Sequence, residues 1–203
     1  MGPPIAFVAD SKHGCTVGLG CDVACNNPID MFQQMRLLLQ AQRDREHTAC
    51  EGVPTAMSRS CAEVLRLATL GGAEAMGLGD VVGSIKVGKR ADLVLTKCTS
   101  MRLTPVHDPV RALVLYASVA DVDIVLVDGV VRKQAGELVG FEWPSLRKRL
   151  VASSDAIMER AKKAPLEEIR HRILTERSKW LDQNLSDVEK ARLGAAPTAA
   201  NGG

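Results

Sequence analysis

The chain has 203 residues, a formal charge of +2, 46% hydrophobic residues and only 3% aromatic ones. That length holds one large or two small domains, with a core built mainly from Leu, Val, Ala and Met. The small net charge gives no reason to expect nucleic acid or an anionic membrane as partner, and no apolar run approaches the ~18 residues of a membrane span or forms a signal peptide.

In chain order, Pro3 and Pro4 can open a short helix that Gly14 ends. A strand is expected from about Thr16 to Cys21, closing abruptly on Asp22 and followed by the polar turn Val23–Pro28. This is how a buried parallel strand reads when it delivers one acidic side chain to the carboxyl end of a sheet or barrel. From the residues alone, Asp22 is as readily a turn or cap residue as a metal ligand or base.

Asn27 can cap the next helix, with Pro28 at its first position and Asp30 favouring its N-terminus. Met31, Phe32, Met35, Leu38 and Leu39 recur at three- and four-residue spacing, and the helix should fade near Arg45–His47. Residues 48–59 read as a loop. Ser60 and Glu63 form a capping-box pattern ahead of Val64, Leu65, Leu67 and Ala68. Gly71-Gly72 is expected to interrupt that helix, and the small residues here point to close packing rather than chemistry.

From Asp80 the period changes. Short turns lead to a strand at Asp92–Leu95, and a strand from Val122 to Val127 meets Val130–Arg132 across Asp128-Gly129, a strong hairpin signal. Between them Asp108-Pro109 can begin a short helix holding Val110, Leu113 and Val114. From Pro144 the chain turns helical and highly charged, with Pro165 opening a second helix. These helices read first as solvated amphipathic elements, a partner-binding arm being the other reading. Residues 186–203 read as a disordered tail. The six cysteines (Cys15, Cys21, Cys25, Cys50, Cys61, Cys98) show no CxxC pairs, which argues against a zinc knuckle or disulfide framework and for a reducing, cytoplasmic setting.

Three stretches in this order resemble one family. Val17-Gly18-Leu19-Gly20-Cys21-Asp22, with Asn26-Asn27 and Asp30-Met31-Phe32, is similar to the last barrel strand of the metal-dependent amidohydrolases, in the cytosine/guanine deaminase and triazine hydrolase branch. Leu65–Thr69 with Gly72-Ala73 and Gly77–Gly79 is similar to the helix that follows. Ile85–Leu95, with Gly88-Lys89-Arg90-Ala91-Asp92-Leu93 its most specific part, resembles the return into a flanking β-sandwich. Leu103–Pro109 and Val125–Gly129 continue the likeness, which spans roughly residues 2–140.

The resemblance implies an α/β fold: the C-terminal piece of a (β/α)₈ TIM barrel over 1–79, part of a small β-sandwich over 80–140, a helical extension over 141–185 and the tail. It implies hydrolysis of a carbon–nitrogen bond, such as deamination of a nitrogen heterocycle, on a divalent metal, zinc or iron. Asp22 would be the metal-proximal carboxylate that takes a proton from the water. A family member would also carry a His-x-His pair and single histidines on other strands. His13, His47, His107 and His171 do not match them, and His107 is expected to make a structural hydrogen bond. Cys21 stands where a threonine is usual. Catalytic metal sites need about three protein ligands, so these residues alone are expected to lack stable metal and activity. Partners would be a small heterocyclic or amide substrate, with no nucleic acid, no membrane and possible oligomers. The alternative is a non-catalytic truncated amidohydrolase acting as an interaction module.

Overall fold

The computed structural model describes residues 6–25 and 27–184, and Pro3, Pro4, Asn26 and the tail lie outside them. The chain forms two compact units, Met1–Phe141 and Glu142–Gly203.

In the first unit, α1 (Ala6–His13) ends at Gly14, whose φ of +61° turns the chain so that the Cys15 amide donates to the Ala9 carbonyl at 3.1 Å. Residues 16–22 then run without pairing: no sheet includes them. The expected strand is therefore corrected to an irregular segment. A strand exists only through the ladder it shares with a neighbour, and no described segment lies beside this one in register.

α2 (Met31–Thr48) is capped by Asp30 rather than Asn27, because the Asp30 carboxylate accepts from the amides of Phe32 and Gln33. Its buried face is Met35, Leu38, Leu39 and Gln42. α3 (Cys61–Arg66) opens with the expected capping box between Ser60 and Glu63. It does not break at the glycines. The helix continues through a π-helical turn, Leu67–Gly71, into α4 (Gly72–Ala75), and ends at Met76 and Gly77.

The core joins Leu38 and Leu39 of α2 to Val64 of α3 and to Val114 of a second π-helical turn, Ala112–Tyr116, which continues from α5 (Pro109–Arg111). Leu38, Leu39, Val64 and Val114 are at most 1% exposed, and burial of each contributes about 1.5–3 kcal/mol. Arg36 ties the same elements by donating to the carbonyls of Leu115 and Ala117 at 3.3 and 3.0 Å.

β1 (Leu93–Thr96), β2 (Val122–Val127), β3 (Val130–Gln134) and β4 (Glu137–Leu138) form one antiparallel meander in that order. Asp128 and Gly129 turn the β2–β3 hairpin with φ of +52° and +78°, the geometry that an Asp-Gly pair accepts most readily. The second unit holds α6 (Trp143–Lys162) and α7 (Leu166–Asn184). Among the described residues no helix is long and apolar enough to cross a membrane.

Before β2, a single 3₁₀ turn (Val119–Asp121) buries one carboxylate. Asp121 is 3% exposed and accepts from the Ser118 amide and hydroxyl and from Arg102. Burial alone would raise its pKa. The Ser118 amide and the Arg102 guanidinium more than offset that and hold it at about 2, against an ordinary 3.8. A depressed carboxylate stabilises the fold above its unfolded pKa and loses that contribution as pH falls through the folded one. Asp121→Asn should thus cost about 2 kcal/mol at pH 7. The difference from the parent chain should shrink between pH 4 and pH 2, as read from urea unfolding at each pH.

Candidate functional site

Asp22 ends the segment that begins at Thr16, and the site is built outward from it. Val17 and Leu19 pack against the core cluster of α2 and α3, so the segment is anchored from below. Asp22 itself is exposed and takes a left-handed backbone conformation, φ +53°, which Asp tolerates better than most side chains. The chain then turns, the Asn27 amide donating to the Val23 carbonyl at 3.1 Å, and Asp30 starts α2. Asp22 thus lies at the end of a core-anchored segment, with its carboxylate in solvent.

Among the described residues, no group of three or more His, Cys, Asp or Glu side chains is placed to hold a metal ion. His13 ends α1, His47 lies in the last turn of α2, His107 sits in the bend before Asp108, and His171 is on α7. His107 is exposed. The His47 Nε2 atom is buried without a partner among the described residues. The donor set that these residues offer, a single exposed carboxylate, does not by itself fit a catalytic zinc or iron centre, which takes about three protein ligands. Two open hollows lie elsewhere. One of about 390 Å³ is lined by Ala41, Asp44, Arg45, Thr48 and Ala49, and one of about 330 Å³ by His47 and Pro54–Met57.

The residues that sequence reasoning missed are structural ones. Lys89 donates its ammonium protons to the carbonyls of Gly79 and Val82 and to the Ser84 hydroxyl, gathering the turn between α4 and β1 around one charge. Arg90 pairs with Asp128 at 3.2 Å, the Asp128 amide donates to the Asp92 carboxylate at 2.7 Å, and the Gly129 amide donates to the Ala91 carbonyl at 3.0 Å. The stretch Gly88–Leu93 is therefore a staple that holds a turn at one end and a hairpin tip at the other. Arg59 closes the loop after α2 in a similar way. It pairs with Glu46 at 2.9 Å and Glu63 at 3.3 Å, and its guanidinium lies 4.7 Å from the Phe7 ring centroid. Lysines and arginines whose partners are set by loop and hairpin geometry carry no local signature in a sequence.

Against known proteins, the profile of the amidohydrolase family matches residues 5–132. The chain is 40% identical over 140 residues to the 5-methylthioadenosine/S-adenosylhomocysteine deaminase of Acetivibrio thermocellus, an alignment covering 68% of this chain and 31% of that one. It is 33% identical over 118 residues to the S-triazine hydrolase of Gordonia rubripertincta, covering 58% of this chain and 23% of that one. In structure it is similar to an adenosine deaminase from Xanthomonas campestris with bound zinc, at TM-score 0.65 and 29% identity, over 78% of this chain and 34% of that chain. The chain thus spans about a third or less of the length of each of these proteins. The residues matched to the family cover more than half of the chain's own length, and the chain belongs to the amidohydrolase family.

Proposed function

We propose that these residues form the C-terminal third of a hydrolase that cleaves a carbon–nitrogen bond of a small nitrogen heterocycle, with Asp22 as its proton-handling carboxylate. The observation that carries this reading is the position of Asp22: an exposed acid at the end of a segment anchored on the core, within the stretch matched to the family. Relatives named as a methylthioadenosine deaminase and a triazine hydrolase support the reaction class, because both act on nitrogen-rich rings. In such a reaction the carboxylate would accept a proton from the attacking water and return one to the leaving amine, a contribution of about 10²–10⁴ in rate.

The domain reading follows the same line. Residues 1–79 would be the end of a barrel and 80–140 part of a β-sandwich, followed by the helices. Val94 and Leu95, adjacent on β1 and so on opposite faces of the sheet, are both exposed, at 62% and 45%. Apolar side chains uncovered on both faces support a sheet that completes its packing against further polypeptide. A divalent cation, when bound, would lower the pKa of its water toward neutrality. Its remaining ligands would lie outside these residues.

Two measurements test this reading. Zinc titrated calorimetrically into the 203-residue chain should show no stoichiometric site, and a site of micromolar affinity would mean that the ligand set is already here. In a protein of the relatives' length that carries these residues, Asp22→Asn should reduce ammonia release at least about 10²-fold with an unchanged melting temperature. Turnover equal to that of the parent would end the catalytic assignment.

A further inference from the structure

The segment that carries Asp22 touches the helix beyond it through bare backbone. A Cβ added to Gly18 would lie 2.6 Å from the Gly72 Cα and 3.0 Å from its amide nitrogen. A Cβ added to Gly71 would lie 2.7 Å from the Val17 carbonyl oxygen. Carbon atoms in contact prefer separations of roughly 3.5–4.0 Å, so any side chain at either position pushes the two backbones apart by about 1 Å. Both neighbours are backbone atoms and cannot swing aside. The contact falls where the α3–α4 helix makes its π-helical turn, Leu67–Gly71, an irregularity common at functional sites.

The far side of the same helix is closed as tightly. Gly83, at φ +85°, would place a Cβ 2.6 Å from the Ala73 Cβ and 3.0 Å from the Leu70 Cα, and its turn is the one gathered by Lys89. The helix is thus wedged between the Lys89 turn and the Val17–Gly18 backbone, four residues before Asp22.

We infer that Gly18 and Gly71 are positioning residues. The backbone contact that they permit sets where Asp22 leaves the core, an inference that rests on the role proposed for Asp22 above. The claim is about placement and not about overall stability, and the chain contains its own controls. Gly20 is nearer to Asp22, yet a Cβ there meets nothing within 4 Å, and one on Gly72 meets only the Leu67 carbonyl at 3.9 Å. Cys21 adjoins Asp22 and is partly exposed, whereas Cys61, in the first turn of α3, is buried. Thiol alkylation follows access, so the first thiol reports the segment and the second reports opening of the core.

The test is native-state alkylation of the 203-residue chain with iodoacetamide, resolved by peptide mass spectrometry. Gly18→Ala and Gly71→Ala should each raise the Cys21 rate several-fold with Cys61 unchanged, whereas Gly20→Ala and Gly72→Ala should leave both rates at the parent values. An unchanged Cys21 in Gly18→Ala, equal effects of Gly18→Ala and Gly20→Ala, or a parallel rise at Cys21 and Cys61 would each overturn the inference. Its failure is separable from that of the catalytic reading. Selective release of Cys21 alongside full turnover by Asp22→Asn would keep the contact and retire the acid's role.

Discussion

The meeting of Leu38, Leu39, Val64 and Val114 in one dry cluster is the constraint on which the first unit depends. It brings α2 against α3, and it recruits a residue from the Ala112–Tyr116 turn, some 50 positions further along the chain than Val64. Removing a buried leucine from such a cluster typically costs about 2–5 kcal/mol, far more than any single surface ion pair in the unit supplies. Val17 and Leu19 rest on this cluster, so the placement of the segment ending at Asp22 is inherited from packing between elements distant in sequence.

What was legible in the sequence was what local geometry determines. The apolar spacing of Met35, Leu38 and Leu39 revealed the buried face of α2, because helical period requires only neighbours three and four residues away. The Ser60–Glu63 capping box and the Asp128-Gly129 turn were readable for the same reason. Asn27, Pro28 and Asp30 all suit the start of α2, and only the hydrogen bonds to the Phe32 and Gln33 amides select Asp30 as its cap. The apolar run from Thr16 has the composition of a strand but not the pairing, which is not a local property. Gly71 and Gly72 suit a break by composition, whereas the helix keeps its backbone bonds through a wider turn. Of the candidate site, the sequence exposed Asp22 as an acid at the end of an apolar run. Whether three or more ligand-type side chains gather into a metal site is a matter of tertiary proximity, and among the described residues none do.

The stretch around Lys89 shows how a family-like motif can hold architecture together. Lys89, Arg90 and Asp92 each bind backbone or a hairpin acid. A charged side chain that satisfies several carbonyls or amides at once leaves those polar groups without their protein partner when it is replaced. That makes such residues demanding of identity for purely architectural reasons.

The Asp128-Gly129 corner is held on three sides: its first amide by Asp92, its second by the Ala91 carbonyl, and its acid by Arg90. Most hairpin tips are the natural place to splice an epitope or a fluorescent domain into a protein, since they project freely into water. Here the tip is clamped from behind, so added residues would pull out the clamp before they reached solvent. The stretch between Ala49 and Pro54, exposed at every position, is the more forgiving place for such a graft.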